Sequence, residues 1–179
     1  MVVHESLKRG TTTMKRRNFL IAMAALAATP LFPSRVRGEE KMQEIDTKIE
    51  KLKLPESEWK KRLTPEQFKV LREEGTEPSG SSPLDHEKRK GVFVCAGCEL
   101  PLFTSAMKYD SGTGWPSFFE TILGRVETRL DFRLILPRTE YHCARCGGHQ
   151  GHVFDDGPKP TGKRYCNNGT ALKFMPDAS

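Results

Sequence analysis

The sequence predicts a domain built on strands, with short helices on its N-terminal side and a cysteine-built structural zinc site. Three observations carry this expectation. The runs Gly91–Cys95, Val126–Leu136 and Arg164–Phe174 have the β-branched and aromatic content, and in the second case the alternation, of strands. Two Cys-x-x-Cys pairs, Cys95/Cys98 and Cys143/Cys146, sit at the ends of extended stretches. Helical signals are confined to the residues before Gly75.

A chain of 179 residues holds one domain plus appendages. Of its 29 Lys+Arg and 23 Asp+Glu, seven basic residues and one acidic residue fall in residues 1–38, which leaves 22 of each sign in residues 39–179. The basic excess therefore belongs to the N-terminal segment, and nucleic-acid binding is not expected. In that segment Lys15-Arg16-Arg17-Asn18-Phe19-Leu20 leads into an apolar run ending at Thr29-Pro30, which resembles a twin-arginine export signal. The run Phe19–Ala28 is shorter than the roughly 20 residues a bilayer-spanning helix needs, so no permanent membrane anchor is expected. Met14 is a second candidate start, and Ala25-Leu26-Ala27 and Gly38 are both candidate cleavage points. The expected organisation is an export segment over 1–38, a helical linker over 39–56 and the functional domain over 57–179. The expected partner of the first is an export machinery that carries folded, metal-loaded chains to a bacterial periplasm.

Met42, Ile45, Ile49 and Leu52 recur at helical spacing among charges, which predicts a short amphipathic helix ended by Pro55. Thr64-Pro65-Glu66-Gln67 supplies an N-cap hydroxyl, a proline at the first helical position and the glutamine of a capping box. That second helix should bury Phe68 and Leu71 and stop at Gly75, and Glu77–Pro83 should be loop. The two knuckles follow, 44 residues apart between Cys98 and Cys143, so a shared metal would join distant parts of one domain. A closed four-thiolate zinc site is preferred over paired disulfides or a redox-active Cys-x-x-Cys, with His142 a neighbour and not a ligand.

Between the knuckles, Tyr109–Phe119 carries two glycines, a proline and four aromatics, which suits a rigid pocket-lining loop or, equally, a hydrophobic plug. In Val126–Leu136 the even positions should face the core. Asp155–Gly162 is rich in turn residues, and the chain then returns as a strand on which Arg164, Cys166 and Asn168 share a face. Cys166 is the one cysteine without a close cysteine partner, and it follows His149 and His152. A lone thiol near imidazoles suits nucleophilic chemistry, although a small buried hydrophobe with two bystander histidines reads equally well from spacing.

Gly114-Trp115-Pro116-Ser117-Phe118, His149-x-Gly-His152-Val153-Phe154, Asp156-Gly157-Pro158, Arg164-Tyr165-Cys166-x-Asn168 and the two knuckles occur in one order. In this the chain, from about Glu58 to Pro176, resembles the type B peptide-methionine sulfoxide reductases. The resemblance implies a mainly β fold of two antiparallel sheets and reduction of methionine-R-sulfoxide in oxidised proteins, with free methionine sulfoxide as a further substrate. It implies that Cys166 attacks the sulfoxide sulfur and becomes a sulfenic acid. His149 and His152 would bind and protonate the oxygen, Asn168 would assist through its amide, and Arg164 would favour the thiolate. Trp115, with Phe118 beside it, would seat the methyl group and select the R epimer.

Thr113 stands where many members of that family have a resolving cysteine, so an external thiol, thioredoxin-like or small, is expected to recycle Cys166. Asn167 and Gly169 are more polar or smaller than the resemblance leads one to expect. A monomer is expected. The competing function classes are a thiol-disulfide exchange enzyme and a non-enzymatic zinc-stabilised binding module.

Overall fold

The computed structural model describes residues 49–132 and 136–178. The export segment, most of the predicted linker helix and Leu134 lie outside the described residues. Residues 49–55 correct the last part of the helical linker. They form no helix, and the Leu52 N–H donates to the Arg145 carbonyl at 2.8 Å, so this stretch packs beside the second knuckle. Pro55 does not end a helix but caps the start of one, α1 (Glu56–Arg62), with φ −65°. Its fixed φ suits a helix entrance, and Glu56 and Glu58 in the first turn with Lys60, Lys61 and Arg62 in the last complement the helix dipole. Helix α2 (Pro65–Glu73) has the expected capping box: Thr64 accepts from the Gln67 N–H while Gln67 accepts from the Thr64 N–H. It buries Phe68 and Leu71 as expected, and Val70 as well, and ends with Glu74 in the left-handed conformation just before Gly75.

The remaining elements are strands: β1 (Gly91–Cys95), β2 (Pro101–Thr104), β3 (Lys108–Tyr109), β4 (Ser117–Phe118), β5 (Val126–Asp131), β6 (Arg138–Cys143), β7 (His149–Phe154), β8 (Arg164–Asn167) and β9 (Leu172–Pro176). They form two antiparallel sheets, a three-stranded one in the order β2-β1-β9 and a six-stranded one in the order β3-β4-β8-β7-β6-β5. The aromatic core between them stacks Phe103 on Phe118 at 4.0 Å between ring centroids, with Phe93, Tyr141 and Tyr165 edge-on or tilted around that pair.

Two strand expectations are corrected. Only the first even position of β5 meets the core: Val126 packs against it, whereas Leu130 is 62% exposed and, beyond the strand, Phe132 is 68% and Leu136 77% exposed. β5 is the outermost strand, paired only with β6, and alternation reports a period without saying whether a second layer covers the apolar face. The predicted strand Arg164–Phe174 is two strands in different sheets, broken by a 3-10 turn at Gly169–Ala171. The break is held by Glu77, whose carboxylate accepts from the Gly169 N–H at 2.6 Å and the Thr170 N–H at 2.8 Å. A side chain at 169 would meet the Ser82 hydroxyl at 1.9 Å, which accounts for the small residue there.

Candidate active site and metal centre

Each knuckle is a hairpin turn, one joining β1 to β2 and the other β6 to β7, so the two sheets each present two thiols to the same point. The sulfurs of Cys95, Cys98, Cys143 and Cys146 all lie within 4.8 Å of one another. The Cys95–Cys146 contact is 3.7 Å and the Cys98–Cys143 contact 3.5 Å. A tetrahedron with metal–sulfur bonds near 2.3 Å has edges of about 3.8 Å, so the donor set and its spacing fit one closed metal ion. Sharing of S–H donors among the four, together with burial, pushes the Cys95 and Cys143 thiols up, and a divalent cation offsets that crowding. Among the described residues this is the one such cluster, and His142 is outside it, 3.4 Å from the Glu127 carboxylate.

The second site is a row of side chains across the six-stranded sheet. Ser117 pairs with Cys166, Cys166 with His152, His152 with Glu140 and Glu140 with Arg129, and directly opposed residues share a face. His149 joins this face only because of a bulge. In a regular strand, residues three apart point to opposite sides. Here His142 faces His149 and Tyr141 faces Gly151, so Gln150 is an extra residue, and the His149 and His152 ring centroids come to 5.5 Å.

Cys166 opens into a pocket of about 320 Å³ lined by Thr113, Trp115, Arg138, His152 and Arg164 among others. The Trp115 indole N–H donates to the Glu77 carbonyl at 3.2 Å. The neighbouring Gly114 has φ +81°, and a side chain on it would meet the Ser79 hydroxyl at 2.1 Å. Glycine thus lets the loop close on Ser79 and Gly80 and fixes the indole at the pocket wall. β7 approaches β8 just as closely: a side chain at Gly151 would meet the Cys166 carbonyl at 1.9 Å.

Burial pushes the Cys166 thiol up; the Arg164 charge and a hydrogen bond from Thr113 act the other way without overcoming it. Arg164 is occupied in part elsewhere, since Asp156 takes it bidentately at 2.8 and 2.7 Å and Phe154 lies under it at 4.3 Å. The His152 Nε2 is 2.8 Å from Asp131, which also receives Arg138 at 2.7 Å. His149 is 2% exposed, and burial lowers its pKa so that the ring is carried neutral. Its Nδ1 is 2.7 Å from Glu140, which also accepts from Arg129. Burial opposes the charge on Glu140, but the hydrogen bonds from Arg129 and His149 outweigh it and hold that carboxyl below its usual range. The carboxylate keeps the hydrogen on Nδ1 and leaves Nε2 an acceptor, buried with no protein partner.

The structure therefore brings Cys166, His152, Arg164 and Trp115 to one pocket, with His149 directly behind His152. Phe118 and Asn168 are placed differently from the other expected residues. Phe118 is fully buried and stacked on Phe103, because it alternates with Ser117 and so faces the core, away from the pocket. Asn168 lines the pocket, but its amide is engaged: its oxygen accepts from the Glu77 N–H at 3.0 Å and its nitrogen donates to the Gln150 carbonyl at 3.0 Å. Sequence reasoning gave no role to Glu77, Asp131 or Glu140. Asp156 was legible as the acid of the Asp-Gly-Pro turn eight residues before Arg164, whereas nothing around Glu77 in the sequence signals its keystone position.

The family model described as SelR domain matches residues 63–176. A chloroplastic peptide methionine sulfoxide reductase B1 of Arabidopsis thaliana is 46% identical over 161 residues, covering 89% of this chain and 77% of that protein. Peptide methionine sulfoxide reductase MsrB of Methanosarcina barkeri is 54% identical over 120 residues, 66% of this chain and 84% of its own length. The human mitochondrial methionine-R-sulfoxide reductase B2 is 51% identical over 133 residues, 70% of this chain and 73% of that protein.

Proposed function

This chain belongs to the peptide methionine sulfoxide reductase B family, enzymes that reduce methionine-R-sulfoxide and repair oxidised proteins, and from that premise we propose how its own residues do so. The observation that carries the proposal is Cys166: among the described residues it is the one cysteine outside the four-sulfur cluster, and it opens into the pocket beside the Trp115 indole. The Cys166 sulfur attacks the sulfoxide sulfur, the oxygen passes to Cys166, and methionine leaves. Thiol plus sulfoxide thus becomes sulfenic acid plus thioether, with the thiol proton retained on the transferred oxygen. His152, held by Asp131, handles the proton at that oxygen, and His149, tied to Glu140 and packed edge-on against the His152 ring, positions that imidazole. Trp115 seats the methyl group and so selects the R epimer. Arg164 biases Cys166 toward thiolate, and Asn168 positions the strand end by its two amide bonds.

The four cysteines hold one Zn²⁺, a structural crosslink without a part in the reaction. Thr113 offers no second thiol at the pocket, so an external thiol attacks the sulfenic acid, releasing water, and a second thiol equivalent frees Cys166 from the mixed disulfide. The twin arginines and short apolar run in residues 15–28 support export to a periplasm, where a monomer would work with a thioredoxin-like or small-thiol reductant. An epimer-resolved assay with a dithiol reductant tests the reading. The parent chain should consume only the R epimer, and Cys166→Ser should lose the activity while keeping its zinc and its fold. Appreciable turnover by the mutant, or an internal disulfide at Cys166 in zinc-loaded enzyme starved of reductant, would count against it.

A further inference from the structure

Gln150, the extra residue of the β7 bulge, is fully buried and reaches both centres at once. Its side-chain nitrogen donates to the Cys95 sulfur at 3.4 Å, and its side-chain oxygen accepts from Asn167 at 3.5 Å. Its backbone carbonyl accepts both the Asn168 N–H at 2.8 Å and the Asn168 side-chain amide at 3.0 Å. Asn167 is also fully buried and is tied on its other side, where its oxygen accepts from the Tyr141 hydroxyl at 2.6 Å. A polar path therefore runs from a metal-binding sulfur through one glutamine to the residue bonded to Cys166.

A buried primary amide is costly unless its donors and acceptor are matched, and nothing in a strand between two layers requires a polar residue at such a point. A sulfur bound to a cation carries negative charge and accepts an N–H more strongly than a neutral thiol. The orientation of the Gln150 amide, and with it the anchoring of Asn167 beside Cys166, thus depends on the state of the metal centre.

We propose that Gln150 is a positioning residue that couples the four-cysteine metal centre to the catalytic strand. It steadies the metal through Cys95 and transmits the occupancy of that site to the placement of Cys166. This rests on the metal reading given above. The test uses the full chain with Gln150→Met, which keeps the volume without the donor, and Gln150→Glu, which keeps the shape and sets an acceptor against the sulfur. Asn167→Leu cuts the path on the catalytic side only.

Metal content, metal release to a colorimetric chelator, and kcat and KM for an R-sulfoxide are measured for all four proteins. Gln150→Met should release metal roughly 10-fold faster, in the range seen when partners of metal ligands are lost. Its kcat should fall several-fold with little change in KM, and Gln150→Glu should be worse on both counts. Asn167→Leu should lose kcat while holding metal like the parent. Equal release rates in parent and Gln150 variants, or faster release with kcat unchanged, overturn the coupling while leaving the metal reading in place. A purified parent without about one equivalent of metal removes the metal reading and the coupling together.

Discussion

At Cys166 the decisive balance is between burial and two polar neighbours, and burial wins. A raised pKa means that the thiol persists at neutral pH and the thiolate fraction grows as pH rises toward and past the ordinary thiol value. Alkylation of Cys166, followed by mass spectrometry of its peptide, should therefore be slower at pH 7 than that of free cysteine and should accelerate steadily into the alkaline range. A rate that is already flat by pH 7 would mean that Arg164 and Thr113 prevail. Residue type is what the sequence conveys well: the lone thiol of Cys166, the four paired cysteines, the two histidines and the indole could all be singled out from it. Facing is conveyed poorly. Phe118 and Ser117 are adjacent in one motif, yet register puts one in the core and the other beside Cys166. Asn168 was legible as a donor, but its commitments to Glu77 and Gln150 depend on contacts 91 and 18 residues away in the chain.

Among the elements, β7 has the tightest requirements. Its bulge turns His149 toward His152, and Gly151 just after it lets β8 come within contact of its backbone. Gly151→Ala should force the two strands apart at the carbonyl of Cys166. Displacements near 1 Å at a reacting group cost about 100-fold in rate, so kcat/KM should drop by about that factor. Steady-state kinetics beside a circular-dichroism melt would check it, and near-normal turnover would show that the sheet absorbs the added methyl group. The capping box of α2 was fully written in Thr64-Pro65-Glu66-Gln67, because capping is local. Pro55 shows the opposite case, since one proline can stop a helix or open one and only the packing of Trp59 decides. β5 could be found from its alternation but not its exposure, because the covering layer is a property of strand order.

For the whole molecule, the 44-residue separation of the knuckles already implied that a shared metal would be a long-range crosslink, and the structure shows what such a metal would join: a hairpin of the three-stranded sheet to a hairpin of the six-stranded one. Closing a loop of that length removes chain entropy worth about 4 kcal/mol in a simple crosslink model. Stripping the metal with a strong chelator should lower the thermal midpoint by roughly 15 °C, at about 4 °C per kcal/mol, the value where the ranges for smaller and larger domains meet. Scanning calorimetry before and after chelation measures it, and an unchanged midpoint would mean that the sheets hold together without the crosslink. The mainly β class and the link between distant parts were readable, whereas the division of strands between sheets was not, because it is fixed at Gly169–Ala171 by a glutamate far upstream.

That division has one more consequence. The chain leaves one layer for the other only a few residues beyond Cys166, so that thiol sits next to the seam of the sandwich. Shear between the layers, under heat or denaturant, should therefore reach that sulfur before either sheet has come undone, and turnover, followed beside circular dichroism along a denaturant series, should fall away ahead of the collapse of the fold.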